Sequence, residues 1–141
     1  MTPISKRKIK GENRYRALLV VSGMSQEEAA ALHGVSKNAV YGWVYNQSAV
    51  PAQRMKELAR EVHSIMEHKE GLKKEIMRRI LLGEQVRIPR MIKDRETARA
   101  KGWPFPSLHW QAVRLAIAEL PLEVQAKIID PSAFGYKRQN V

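Results

Sequence analysis

GMSQEEAAALHGVSKNAVYGWVYNQSAVP, residues 23–51, is the stretch on which the reading of this chain turns. Ser25 stands three residues before Glu28, the spacing at which each side chain satisfies a free backbone amide at a helix start. A helix is expected to begin there and to end at His33. Gly34 supplies the backbone freedom of a tight turn, and Ser36 is placed to cap the next helix, over residues 37–45. Gln26, Ala30, Gly34, Val40 and Trp43 take the first, fifth, ninth, fifteenth and eighteenth places of a twenty-residue frame. Ala30 is small where the two helices cross, Gly34 makes the turn, and Val40 and Trp43 face inward. That leaves Lys37, Asn38, Tyr41 and Tyr45 on the outer side, followed by the amides Asn46 and Gln47.

Upstream, Tyr15, Leu18, Leu19 and Val21 recur at helical spacing over residues 12–22, and Gly23 closes the run as a helix C-cap. Residues 1–10 carry Lys6, Arg7, Lys8 and Lys10 with few large apolar groups, and read as a basic arm able to follow a phosphate backbone.

The whole chain has the same electrostatic bias. Among its 141 residues, 25 Lys and Arg face 14 Asp and Glu, a formal charge of +11, which favours a polyanionic partner over a membrane. Without cysteine there is no disulfide framework or thiolate zinc site, and no apolar run is long enough for a membrane span or signal peptide. A soluble protein of the cytoplasm is the expectation. His33, His63, His68 and His109 lack zinc spacing, and no phosphate loop, nucleophile elbow or paired acidic motif occurs. Neither an enzymatic role nor a cofactor or metal is expected.

Downstream, Pro51 suits the first turn of a long helix, whose apolar series Met55, Leu58, Val62, Ile65, Leu72 and Ile76 has Lys69 in a skipped place. The stripe serves equally as a dimer seam or as a helix lying on the first three. A break is expected near Gly71, with a separate helix over residues 72–82 ending at Gly83. Val86 and Ile88 alternate with Arg87 as an edge strand would, since Pro89 suits only an edge. Ten basic residues face four acidic ones over residues 73–101, read as a solvated face or a second nucleic-acid surface. The segment GWPFPSLHW, residues 102–110, reads as a rigid aromatic turn that packs structurally. After it Ser107 caps a helix through Leu120, and Pro121 begins a short one that includes Val124, Ile128 and Ile129.

Residues 12–66 resemble the helix-turn-helix of the Cro and phage-repressor family, on the frame above and on the continuation Ser48-Ala49-Val50-Pro51 with Arg54-Met55-Lys56-Glu57-Leu58. The resemblance implies a homodimeric regulator of double-stranded DNA whose third helix enters the major groove and reads bases with its N-terminal residues. Carried over, Gln26 contacts phosphate or braces a neighbour, Ser36, Lys37 and Asn38 sit at the head of that helix, and Tyr41 and Tyr45 lie along it. The chemistry agrees: Asn pairs two ways with adenine, Lys donates to guanine, aromatic rings touch thymine methyl groups, and the Asn46 and Gln47 amides reach phosphate or bases. After Trp43 the family's Asn-Gly pair is replaced by Val44, Tyr45, Asn46 and Gln47. The expected architecture is mainly α. A basic arm (1–10) precedes a helix-turn-helix domain (11–70), a smaller, mostly helical oligomerisation or partner unit with a short strand (71–130), and a tail (131–141). Two rival functions fit the same pattern. One is the small terminase subunit of a tailed phage; the other is an RNA-binding or antitoxin-type regulator using the basic segment.

Overall fold

The structure, a computed structural model, describes residues 13–129; the basic arm with Lys6, Arg7, Lys8 and Lys10 and the tail over residues 131–141 lie outside them. The chain is mainly helical, in the order α1 (Arg14–Ser22), α2 (Gln26–His33), α3 (Lys37–Val44), α4 (Ala52–Leu81), β1 (Val86–Arg87), α5 (Arg95–Ala100), α6 (Pro106–Ala118), α7 (Leu122–Gln125) and β2 (Ile128–Ile129). It divides into two compact units, Met1–Ser64 and Ile65–Val141. No described helix is long and apolar enough to cross a membrane.

In the first unit every short helix is closed by side-chain chemistry. Asn13 caps α1 by accepting from the Arg16 amide at 2.7 Å. Ser25 and Glu28 form the reciprocal capping box of α2, and Ser36 Oγ accepts from the Ala39 amide at the head of α3. Gly23 (φ 74°) and Gly34 (φ 70°) end α1 and α2 in the left-handed conformation, where a side chain would be strained. Ser22 is fully buried because its hydroxyl is satisfied twice, donating to the Leu19 carbonyl and accepting from the Met24 amide. α3 packs on α1 and α2, and Tyr15, Leu19, Ala29, Ala30, Val40, Trp43 and Leu58 fill the core. At roughly 1.5–3 kcal/mol for each large side chain withdrawn from water, this cluster holds three helices too short to be stable alone.

The second unit departs from the sequence expectation in four places. Gly71 does not break a helix: α4 runs through it without interruption. A helical glycine costs only about 1 kcal/mol against alanine, and Ile65, Ile76 and the half-buried Leu72 anchor the turns on either side. Ser107 is not the cap of α6. Pro106 starts that helix, its fixed φ and missing N–H suiting a first turn, and Phe105 takes the N-cap place with no side-chain hydrogen bond. Ile128 and Ile129 do not belong to a helix either. α7 is a single turn, after which these β-branched residues pair in parallel with Val86 and Arg87. Finally, α5 was not expected; Asp94 caps it through the Thr97 amide, and it packs against α6.

β1 extends by one more hydrogen bond, from the Ile88 amide to the Ile129 carbonyl at 3.0 Å, and stops where Pro89 has no N–H to give. Val86 enters a small core with Ile76, Leu120 and Val124, flanked by Leu72, Met77, Ile80 and Ile128. Of the α4 stripe, Leu58, Ile65 and Ile76 are at most 3 % exposed in the single chain. Lys69, in the skipped place, is held by Glu119 (3.0 Å) and Glu70 (3.3 Å). Leu58, Ile65 and Ile76 therefore pack within one chain, whereas Met55, Val62 and Leu72 are only half-buried. The aromatic turn likewise packs inward: Trp103 and Phe105 are buried, with the Arg95 guanidinium 4.5 Å from the centre of the Phe105 ring.

Candidate nucleic-acid interface

α3 is two-sided. Val40, Trp43 and Val44 are buried, whereas Ser36, Lys37, Asn38, Tyr41 and Tyr45 are exposed. Lys37 reaches Glu27 of α2 at 3.5 Å with both side chains largely in water, a loose pair that contributes little to stability. Asn38 is exposed one residue further into the helix, in its first turn. Ser36 Oγ is committed to the cap. Gln26, at the start of α2, is half-buried.

The run from Tyr41 to Gln47 divides between two tasks. Tyr41 and Tyr45 meet one turn apart with their rings tilted by 46° and their centres 4.5 Å apart, almost half of each surface exposed. Arg16 of α1 lies over the Tyr45 ring at 5.3 Å, extending the aromatic pair by a cation. Sequence spacing missed Arg16, because the contact joins two helices and leaves no local periodicity. Gln47 is exposed, whereas Asn46 is half-buried and left-handed (φ 63°), the one described non-glycine residue with positive φ. Asn46 Oδ1 accepts from Asn13 Nδ2 at 2.8 Å. The same Asn13 amide donates to the carbonyls of Trp43 (3.0 Å) and Val44 (3.1 Å), satisfying the open end of α3. Part of the amide run therefore locks α3 against α1. Asn tolerates the left-handed region that the turn requires, so no glycine is needed there.

Beneath this surface lies a buried polar chain. Tyr15 Oη is 2.9 Å from His33 Nε2, and His33 Nδ1 is 2.7 Å from Glu57 Oε1. A carboxylate can only accept, so Nδ1 donates to Glu57, and in the tautomer with its single proton on Nδ1 the other nitrogen, Nε2, accepts from the Tyr15 hydroxyl. Arg54 Nη1 donates to both Glu57 oxygens, at 2.9 and 2.7 Å. Burial opposes the charge on Glu57, but the hydrogen bonds from His33 and Arg54 outweigh it and hold the carboxyl below its ordinary value. Burial, followed by the Glu57 charge, pushes the Tyr15 phenol up to about 12. The rings of Tyr15, His33 and Trp43 meet edge to face or tilted, with centres 5.4–5.9 Å apart. His33 is thus a core residue joining α1, α2 and α4.

Among the described residues, no group of three His, Asp or Glu side chains is placed to hold a metal ion. No protein-family model matches the chain, and no curated protein or solved structure matches it.

Proposed function

We propose that the first unit binds double-stranded DNA as a sequence-specific transcriptional regulator of the Cro and phage-repressor type, acting as a homodimer on a palindromic operator. One observation carries this reading. Lys37 and Asn38 are exposed at the capped N-terminal end of a helix whose opposite face is fixed by Val40 and Trp43, the geometry in which a recognition helix offers its first residues to base edges. The excess of positive charge over the chain supports an anionic partner. In the major groove Asn38 would pair with adenine and Lys37 with guanine, giving up its loose contact to Glu27. Tyr41, packed against Tyr45, would offer apolar contact to thymine methyl groups, and Gln47 and Gln26 would reach phosphates.

A selection of bound sequences from random duplexes tests the reading. Lys37→Ala and Asn38→Ala should each lose about 1–3 kcal/mol at the selected site, with unchanged helical content and relaxed preference at one position. Equal binding by wild type and both variants would overturn it.

A further inference from the structure

A cavity of about 470 Å3 in the second unit is walled by the segment after β1, by α5 and by His109 of α6. Its charge is one-sided. Arg90, Lys93 and Lys101 line it against a single carboxylate, Asp94. Both Asp94 oxygens are already engaged, accepting from the Thr97 amide at 2.9 Å and the Thr97 hydroxyl at 2.7 Å. Elsewhere in this unit Lys69, Lys73, Arg78 and Arg79 are answered by Glu70, Glu75 and Glu119. Three like charges gathered around one carboxylate repel one another, and a bound anion relieves them.

The wall also holds a polar ring that is not fully satisfied. His109 is only 9 % exposed, and its Nδ1 is buried with no hydrogen-bond partner, the one such side-chain atom among the described residues. Native structures rarely leave such an atom unpaired. Burial, followed by the charges of His68 and Lys101, holds the ring below its ordinary value, so it is neutral at pH 7. Three cations match the charge and the several oxygens of a phosphoryl group, whereas a single carboxylate leaves most of that charge unanswered. The cavity is larger than one phosphate needs and falls in the range of small-molecule sites, and Met91 and Ile92 give it an apolar side.

We propose that this cavity binds a small phosphorylated molecule, with its phosphoryl group held by Arg90, Lys93 and Lys101 beside the His109 ring and its organic part lying on Met91 and Ile92. The site does not depend on the DNA reading of the first unit. The same phosphate chemistry occurs in a nucleic-acid backbone, and the test separates the two sources. The full chain is titrated calorimetrically with pyrophosphate, a nucleoside monophosphate and a short single-stranded oligonucleotide, while the imidazole nitrogens are followed by NMR. Saturable binding of pyrophosphate or the monophosphate is expected, with a shift of the His109 Nδ1 resonance. Arg90→Ala combined with Lys93→Ala, both at exposed positions, should weaken it about tenfold or more while leaving the circular dichroism spectrum unchanged. No saturable binding of either small ligand, equal affinity in the double variant, an unmoved His109 signal, or binding of the oligonucleotide alone would each overturn the proposal.

Discussion

Asn13 caps α1 with its oxygen and ties down the end of α3 with its nitrogen, which donates to Trp43, Val44 and Asn46. Asn13→Ala removes both functions and should cost about 2 kcal/mol, the sum of a lost cap and of helix-end carbonyls left short of a donor. Asn13→Asp keeps the capping oxygen but turns a carboxylate toward the negative end of α3, so it should destabilise at least as much. Urea denaturation of the three proteins measures this, and a neutral aspartate variant would show that the donated bonds carry nothing. Tyr15 gives a pH prediction. Its folded pKa is raised from 10.0 to about 12, so its contribution is complete below pH 10 and is lost as pH rises toward 12. Tyr15→Phe should lack that alkaline slope and lose about 1–3 kcal/mol at pH 7, where His33 Nε2 is left buried without a donor. A variant with the wild-type alkaline slope would refute the assignment. The outer face of α3 is legible in the sequence because helical spacing sorts residues only three or four apart into faces. The Asn13 hub and the Arg16–Tyr45 contact are not, because their partners lie about thirty residues away and nothing local marks the pairing.

For the helices, what reads correctly is what local chemistry dictates. Ser25, Ser36, Gly23 and Gly34 mark their boundaries because capping and left-handed turns need those residue types within one turn of chain. Where tertiary packing decides, local signals mislead. RETARA forms α5 with Ala98 as its one buried residue, too little to give an apolar period, and Ile128–Ile129 becomes a strand only because β1 is there to receive it. Gly71 is the sharpest case, since a glycine beside a charge reads as punctuation yet sits inside a continuous helix. It is exposed, and a methyl group added there meets nothing within 4 Å. Gly71→Ala should therefore stabilise the protein by about 0.5–1 kcal/mol, read as a rise in denaturation midpoint with an unchanged denaturant slope. A loss of stability would mean that the glycine is needed for its flexibility.

Over the whole molecule, charge and copy number are the quantities to measure. With a formal charge of +11, DNA affinity should fall steeply and linearly on a double-logarithmic plot against salt. Removing residues 1–10 should flatten that slope without altering the preferred sequence, since phosphate contacts position a protein and base contacts specify it. Solution mass on a selected duplex should correspond to two chains of 16.1 kDa; a ring of many subunits would favour the terminase alternative. Copy number is not legible in the α4 stripe, whose period is the same whether it packs within a chain or between chains, and of which Leu58, Ile65 and Ile76 are buried within one. The parallel pairing of Val86–Arg87 with Ile128–Ile129 also governs the order of assembly. About forty residues separate the partners, so this contact carries a large loop-closure entropy and forms late, after the intervening helices have shortened the gap. On the ribosome, Val86 waits for its partner strand until almost all of the second unit has emerged. The first unit, built from neighbours in sequence, is free to fold well before that.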